Sequence, residues 1–143
     1  MNSNEIQCEL LTKENSKIMK TVMEELDIDP LRLRDFLEQP QNLAFIAKCN
    51  NEVTAFIYGY SLMSLNSNPQ LFIYSVEVVS KFQNMGIGSK LFQYVVDYSR
   101  ENGFSECYVI TDKGNKRACR IYEKAGGKND YEDEIVYVIN HEQ

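Results

Sequence analysis

The chain has 143 residues, of which 43% are hydrophobic, and a formal net charge of −6. This length predicts a single domain over residues 1–143 with a core of its own. The acidic balance argues against a nucleic-acid partner, because binding a phosphate backbone favours a basic face. No apolar run in the sequence is long enough to cross a membrane, and its first residues lack the basic and apolar regions of a signal peptide.

The cysteines and the histidine restrict the chemistry. Cys8, Cys49, Cys107 and Cys119 follow neither a C-x-x-C pattern nor the spacing of a disulfide framework, so we expect reduced thiols and a cytoplasmic location. His141 is the only histidine. A single histidine, two residues from the end of the sequence, argues against histidine-based catalysis, and we expect no metal site.

The first half of the sequence predicts a strand, two helices and a hairpin. Residues 5–11 are expected to form the strand, and residues 14–26 and 30–38 the helices. Asp29 and Pro30 supply a cap and a first-turn proline for the second helix. Two further strands, residues 43–49 and 53–63, are expected to pair across Asn50-Asn51.

The second half predicts alternating strands and helices. Residues 70–79 are rich in β-branched and aromatic residues and are expected to form the central strand. A helix over residues 86–102 and a strand over residues 106–111 follow, and the two strands are expected to be parallel neighbours. Residues 112–115 open another helix, which Gly126-Gly127 close, and residues 135–139 predict a final strand.

A glycine-containing loop joins the central strand to the next helix. Its sequence is Gln83-Asn84-Met85-Gly86-Ile87-Gly88. The N–H groups at the start of that helix favour a phosphate, and Gly86 and Gly88 lack the Cβ atoms that would hold it away. A P-loop would need Lys-Ser/Thr after its last glycine, and a dinucleotide loop would need a third glycine where this chain has Leu91. The loop therefore predicts a phosphate-bearing ligand between residues 78 and 89.

A second motif lies on the following helix. Asn115 precedes Ala118 and the run Tyr122-Glu123-Lys124-Ala125-Gly126 in the pattern Asn-x-x-Ala-x-x-x-Tyr-Glu-Lys-x-Gly. The two motifs resemble the acetyl-CoA loop and the second signature of the GCN5-related N-acetyltransferases (the GNAT family). Residues 29–37, the strands that follow and the ending over residues 131–139 look most like the aminoglycoside 3-N-acetyltransferase branch. This chain has Ser75 where that branch has a candidate aspartate base, eight residues before the Gln83 position.

The resemblance implies an α/β (α+β) fold with a mixed, twisted sheet of six to seven strands and helices on both faces. It implies acetyl-CoA as the acetyl donor and a primary amine of a small cationic molecule as the acceptor. The negative charge of the chain suits such a partner, although it serves solubility equally well. An enzyme that acetylates proteins or peptides, and a catalytically idle acyl-CoA-binding regulatory module, stay open, as does a homodimer.

The candidate site residues follow from the motifs and from strand alternation. Alternation places Ser75, Glu77 and Val79 on one face of the central strand and Tyr74, Val76 and Val78 on the other. Glu77 is the only carboxylate in this apolar strand, which makes it the candidate base. By resemblance, Tyr122 is the candidate acid. The unpaired N–H of Val78 is a candidate for stabilising the oxyanion if the parallel strands splay.

The remaining candidates bind the two substrates. The acetyl-CoA contacts are expected from Val76, Val78, Val79, Gln83, Asn84, Met85, Gly86, Ile87, Gly88, Ser89, Asn115 and Tyr122. One or two of the basic residues Lys81, Lys90, Lys113, Lys116, Arg117 and Arg120 are expected to contact phosphate. The acceptor is expected to meet Ser75, Glu132, Asp133 and Glu134, with Asp35, Tyr58 and Tyr60 as further candidates.

Overall fold

A five-stranded mixed sheet organises the described part of the chain. The structure is a computed structural model that describes residues 5–142. The strands lie in the sheet in chain order, and every neighbouring pair is antiparallel except β4 and β5, which are parallel. They are β1 (Ile6–Leu11), β2 (Asn42–Cys49), β3 (Glu52–Leu62), β4 (Gln70–Val78) and β5 (Glu106–Val109). The helices are α1 (Pro30–Leu37), α2 (Ile87–Glu101) and α3 (Lys116–Lys124).

The helix predicted over residues 14–26 is wrong. The structure has a 3₁₀ helix at Ser16–Thr21, followed by turns. Asn15 explains the difference, because its side chain accepts a hydrogen bond from the Thr12 N–H at 2.7 Å and donates one to the Leu10 carbonyl at 3.0 Å. Asn15 is therefore tied to the end of β1 and does not cap an α-helix.

Two local signals are confirmed. The Asp29 side chain accepts hydrogen bonds from the N–H groups of Leu31 and Arg32, and Pro30 begins α1. Asn50 and Asn51 connect β2 to β3 with φ of 51° and 64°, the left-handed conformation that a tight hairpin turn requires. Asparagine tolerates that conformation better than most residues.

Helices cover both faces of the sheet, as predicted. On one face Ile87, Leu91 and Val95 of α2 are buried in the core, and Phe45 of β2 packs edge-on against Tyr98 with ring centroids 5.1 Å apart. On the other face, Phe36 of α1 packs edge-on against Tyr58 and Tyr60 of β3, at 5.3 and 5.7 Å. Burial of such side chains contributes about 1.5–3 kcal/mol each. The packing of helices on both faces of the sheet thus fixes the direction of β4 and of the loop that follows it.

A β-bulge in β4 corrects the predicted alternation. Tyr58 lies opposite Ser75, whereas Gly59 lies opposite Ile73, so Tyr74 is the extra residue. Its ring packs against Tyr58 and Tyr60 at 5.5 and 5.8 Å. Tyr74 therefore lies on the same face as Ser75 and not on the opposite one, because a bulge shifts the two-residue period. Val79 follows the end of the strand and is buried.

The predicted six to seven strands are not confirmed. Residues 128–142 form no helix or strand, so the strand predicted over residues 135–139 is not formed within the described residues. Strand β5 ends at Val109, two residues earlier than expected, and pairs only with Gln70–Ile73 of β4. Five strands are present among residues 5–142. In this range no helix combines the length and the apolar character that a membrane crossing needs.

Candidate functional site

The glycine loop leads from the end of β4 into α2. A 3₁₀ helix at Ser80–Phe82 follows the strand, and Gly86 then caps α2 with φ of 78°. Asn84 also has positive φ, at 64°. Since no side chain caps the start of α2, its first N–H groups are available to an anion at the positive end of the helix dipole.

The two glycines of the loop serve different purposes. A Cβ at Gly86 would meet no atom within 4 Å, so Gly86 is needed for its backbone conformation. A Cβ at Gly88 would lie 3.2 Å from both Ile121 Cδ1 and Val78 Cγ2. Gly88 therefore permits α2 to pack closely on β4 and α3. This corrects the expectation that a Cβ at Gly88 would mainly obstruct a phosphate.

A cleft of about 380 Å³ opens between this loop and α3. One wall is the loop and the start of α2, and the other wall is one side of α3. Seven of the predicted cofactor contacts line it: Val78, Gln83, Asn84, Gly86, Ile87, Gly88 and Ser89. The other lining residues are Phe82, Arg117, Arg120, Ile121 and Lys124. Backbone donors thus face three cationic side chains across the cleft.

Of these lining residues, Arg117 and Arg120 were among the basic residues expected to contact phosphate, whereas Phe82, Ile121 and Lys124 were missed. The spacing of residues 117, 120, 121 and 124 could have revealed Lys124, because residues three and four apart share one side of a helix. Lys81 is engaged elsewhere, since its ammonium group lies 2.7 Å from a carboxylate oxygen of Glu52.

A hydrogen-bonded chain connects the cleft walls. Arg117 Nη1 donates to Gln83 Oε1 at 3.0 Å, and Gln83 Nε2 donates to the Val78 carbonyl at 3.3 Å. The glutamine side chain therefore links the end of β4 to α3. Arg117 also lines the cleft, and this contact uses only one of the five N–H donors of its guanidinium group.

Five predicted cofactor contacts do not line the cleft. Val76 and Val79 pack with the core, and the Val79 N–H donates to the Thr54 carbonyl at 2.9 Å. Met85 is half exposed beside the loop. Asn115 caps α3, where its side chain accepts a hydrogen bond from the Ala118 N–H at 3.1 Å. The second motif thus contains a structural cap as well as a candidate for chemistry.

Tyr122, the fifth, is half buried between α3 and α2. Its ring lies 4.8 Å from the Phe92 ring, centroid to centroid. Burial raises the pKa of the Tyr122 phenol above 10.0, and Cys119 raises it further. Tyr122 therefore keeps its proton throughout the neutral range. Its neighbour in sequence, Ile121, lines the cleft.

Ser75 and Glu77 lie together on the exposed face of β4. Ser75 Oγ lies 3.4 Å from Glu77 Oε1, within donating distance. Glu77 is solvent-exposed and takes part in none of the ion pairs of residues 5–142. The structure thus brings the candidate base and one predicted acceptor contact to the same face.

Aromatic rings lie on the same face of the sheet as these two polar residues. Tyr58, Tyr60 and Tyr74, which we call the tyrosine cluster, have ring centroids 5.5–6.3 Å apart. Burial raises the pKa of Tyr58, and the neighbouring charges of Tyr60, Tyr74 and Glu77 raise it further. The Glu77 carboxylate is therefore close enough to influence the tyrosine cluster. Asp35 lies on α1 and pairs with its neighbour Arg34 at 3.1 Å.

The acidic residues near the end of the chain lie in a segment that forms no helix or strand. Glu132, Asp133 and Glu134 are exposed, and the Glu132 N–H donates to Glu134 Oε2 at 3.1 Å. No hydrogen bond or ion pair of the described residues joins them to Ser75 or Glu77.

The backbone of Val78 faces the gap beyond β5. Strand β5 accompanies β4 only as far as Ile73. On the other side, the Val79 N–H donates to Thr54 of β3. Because the N–H groups of an antiparallel strand alternate in direction, the Val78 N–H points away from β3. It therefore points outward from the edge of β4 that β5 leaves uncovered.

Solved structures of similar fold include two aminoglycoside acetyltransferases. One, from an uncultured soil metagenomic sample and in complex with sisomicin, has a TM-score of 0.80 at 23% identity, with 98% of both chains covered. The other, AAC(6')-Iy in complex with CoA, has a TM-score of 0.75 at 15% identity, with 95% of both chains covered. At sequence identities this low, the similarity shows a shared fold only.

Proteins of similar sequence include two N-acetyltransferases. The chain is 28% identical over 99 residues to the uncharacterized N-acetyltransferase YhfO of Bacillus subtilis (strain 168) and 29% identical over 65 residues to the probable N-acetyltransferase camello of Xenopus tropicalis. These matches cover 68% and 46% of this chain, but only 66% and 30% of the two relatives. The family match itself extends over residues 8–127. The chain therefore belongs to the Acetyltransferase (GNAT) family.

Proposed function

We propose that the chain transfers the acetyl group of acetyl-CoA to a primary amine of a small cationic molecule. The observation that carries this proposal is the cleft, in which the start of α2 faces Arg117, Arg120 and Lys124. The cleft lies at the carboxyl end of β4, the strand that also carries Glu77. Membership of the GNAT family and the CoA complex of a structural neighbour support the choice of donor.

The residues of the cleft fit the chemistry of acetyl-CoA. The uncapped N–H groups of α2 and the three cations suit a pyrophosphate. Phe82, Ile87 and Ile121 give the cleft an apolar part suited to the pantetheine arm. The volume is within the range of about 300–1,000 Å³ that is usual for small-molecule sites. Bound acetyl-CoA supplies an activated thioester, and the chain supplies its orientation.

Glu77 acts as the base in this proposal. An amine acceptor arrives mainly as an ammonium ion and must lose a proton before its nitrogen can attack a carbonyl. Glu77 is a carboxylate without a cationic partner among the described residues, and Ser75 is within hydrogen-bonding distance of one of its oxygens. It can therefore attract the ammonium ion and accept its proton, directly or through a water molecule.

Tyr122 and the Val78 N–H complete the proposed chemistry. A phenol with a raised pKa is protonated at neutral pH and can give its proton to the departing thiolate. The Val78 N–H, which points outward from the uncovered edge of β4, can donate to an oxyanion. Both assignments rest on the family resemblance together with the positions of these groups.

The tyrosine cluster supports a cationic amine as the acceptor. Aromatic faces attract an ammonium ion, and the contact is strongest where water is excluded. Tyr74 is 59% exposed, so its ring is accessible from solvent beside Ser75. The sisomicin complex of one structural neighbour also favours an amine-bearing small molecule. We keep Glu132, Asp133 and Glu134 as proposed acceptor contacts; neutralising all three should raise the KM for the amine and leave that for acetyl-CoA unchanged.

An acceptor screen tests the proposal. Purified protein is incubated with acetyl-CoA and either small polyamines, aminoglycosides or peptides with free amino groups, and released thiol is measured. We expect thiol release that depends on a small cationic amine. Release only with peptides would favour the protein-acetylating alternative. Acetyl-CoA binding without release for any amine would favour the idle regulatory module.

A further inference from the structure

A row of aromatic rings crosses the sheet on the face that carries Ser75 and Glu77. It begins on α1 and continues over β3 and β4 to β5, and neighbouring ring centroids lie 4.8–6.3 Å apart. We call it the aromatic row; its members are Phe36, Tyr58, Tyr60, Tyr74, Phe72 and Tyr108. Tyr74 is 59% exposed. The row therefore offers a ring surface to a molecule in solution.

The bulge in β4 places a ring of this row beside a polar side chain. Tyr74 and Ser75 are consecutive, yet both lie on the face of Tyr58, because Tyr74 is the extra residue of the bulge. Gly59 on β3 permits the close approach of the two strands there, since a Cβ would collide with the carbonyl oxygen of Phe72. The bulge thus joins a ring surface to the polar groups at the end of β4.

Negative charge is sparse beside these rings. Glu77 is the one carboxylate of β4 and is close enough to Tyr58 to raise the pKa of that phenol. Asp35 on α1 is already paired with Arg34 at 3.1 Å. Glu106 begins β5, beside the start of β4, about 20 Å from Glu77 at the usual rise of a strand. A ligand at the end of β4 thus meets one unpaired carboxylate and several rings.

We propose that the acetyl acceptor is a primary amine with one positive charge and an aromatic body, an inference that rests on the acetyl transfer proposed above. The ammonium group lies at Glu77 and the aromatic body lies against Tyr74. Contacts between rings stabilise such a body beyond what apolar burial contributes, and ring faces also attract the cation. Three residues of strand span about 10 Å, a distance that a phenyl ring, a two-carbon linker and an ammonium group can bridge.

Polyamines and aminoglycosides fit this surface less well. Each of their several ammonium groups loses water on binding and needs a counter-charge or a hydrogen-bond acceptor. Strand β4 supplies a single carboxylate, and Ser75 stands where the aminoglycoside branch has an aspartate. No hydrogen bond or ion pair of the described residues joins the acidic residues 132–134 to β4. Aromatic character, and not multiple charge, therefore selects the acceptor.

The test compares four amines as acceptors for the wild-type protein with acetyl-CoA, and released thiol is measured. They are 2-phenylethylamine, methylamine, spermidine and sisomicin, with rates compared per free amine. We expect kcat/KM for 2-phenylethylamine to exceed that for each of the other three about ten-fold or more. An equal or higher value for spermidine, sisomicin or methylamine would overturn the inference and leave the acetyl transfer itself intact.

Substitution of Tyr74 tests the contribution of the ring. Tyr74→Leu keeps an apolar side chain but removes the ring, so the KM for 2-phenylethylamine should rise about ten-fold while kcat changes far less. Tyr74→Phe keeps the ring and should restore the wild-type preference. Leu65→Ala is the control, because Leu65 is 97% exposed in the loop between β3 and β4. An unchanged KM in Tyr74→Leu would overturn the inference.

A binding measurement separates this inference from the acetyl transfer. 2-Phenylethylamine is added to the wild-type protein in the presence of CoA, which carries no acetyl group, and the NMR resonances of the rings are recorded. We expect those of Tyr74 and Phe72 to shift. If no amine releases thiol, the proposed transfer fails and this titration decides the inference alone. Ring resonances that do not shift would overturn it.

Discussion

Arg117 on α3 donates a 3.0 Å hydrogen bond to Gln83, and Gln83 in turn donates to the carbonyl of Val78. A glutamine that follows the end of β4 thereby fixes an arginine on a helix that is 34 residues away in sequence. These two residues connect the two walls of the cleft. The guanidinium group lines the cleft as well, so a single residue contributes both structure and charge.

The first prediction concerns this arginine. Arg117→Met should weaken acetyl-CoA binding about ten- to a hundred-fold, since a hydrogen bond to a charged group contributes about 1.5–3 kcal/mol. Calorimetry measures the change. Arg100→Met is the matched control, because Arg100 is an exposed arginine on α2 that pairs with Asp97 and is not among the residues lining the cleft. Equal affinities for the two variants would remove Arg117 from the donor site.

The second prediction concerns the close approach of α2 to β4 and α3. Gly88→Val should lower the free energy of unfolding by about 1–3 kcal/mol, because the added atoms overpack against Val78 and Ile121. Gly114→Val provides the control: a Cβ there would meet no atom within 4 Å, and its effect should be below about 0.5 kcal/mol. Denaturant unfolding compares the two. If both variants are equally stable, the tight contact at Gly88 does not exist in solution.

The loop and the helices around it could be predicted because their signals are local. Gly86 and Asn115 were identified from sequence alone, and both begin helices in the structure. The bulge at Tyr74 could not be predicted, since it depends on the register between β3 and β4. The short 3₁₀ helix at Ser16–Thr21 depends likewise on the contact between Asn15 and the end of β1.

The site was predicted less completely than the loop. The lining residues from Val78 to Ser89 follow one another in the sequence, so the glycine motif was sufficient to find most of them. Ile121 and Lys124 belong to the cleft only because α3 packs beside α2, a relationship between elements distant in sequence. The missing terminal strand has the same kind of cause, because a strand forms only where a neighbour is available to pair with it.

The third prediction concerns alkaline pH. Tyr58, Tyr60, Tyr94 and Tyr122 have pKa values raised above 10.0, in each case mainly by burial. The native state therefore holds protons that the unfolded chain has released, so this contribution to stability is fully present below pH 10 and declines as the pH rises through the raised values. Denaturant unfolding between pH 8 and 11, with tyrosinate absorbance recorded in parallel, measures the decline.

The control for this titration is Tyr131→Phe, which removes an exposed phenol. It should leave the pH dependence unchanged, whereas Tyr122→Phe should make the decline shallower. A free energy of unfolding that stays constant or rises above pH 10 would contradict the burial of these phenols.

The fourth prediction concerns the base. Glu77→Gln should lower kcat by about 10²- to 10⁴-fold at neutral pH, the usual contribution of a general base. Activity should return as the pH rises and more of the acceptor is already the free amine. Glu38→Gln, which neutralises an exposed carboxylate at the end of α1, should change neither the rate nor the pH profile. A loss of only a few-fold with an unaltered profile would show that solvent accepts the proton.

The fifth prediction concerns the acid. Tyr122→Phe removes only a hydroxyl group, so the ring should still pack against Phe92 and the affinity for acetyl-CoA should stay the same. We expect kcat to fall about 10²- to 10⁴-fold, since the departing thiolate loses its proton donor. Tyr98→Phe is the matched control, because Tyr98 also lies on a helix and packs against a phenylalanine, Phe45, on the sheet. If both variants keep wild-type kcat, Tyr122 serves only in packing, and the enzyme works mainly by holding amine and thioester together.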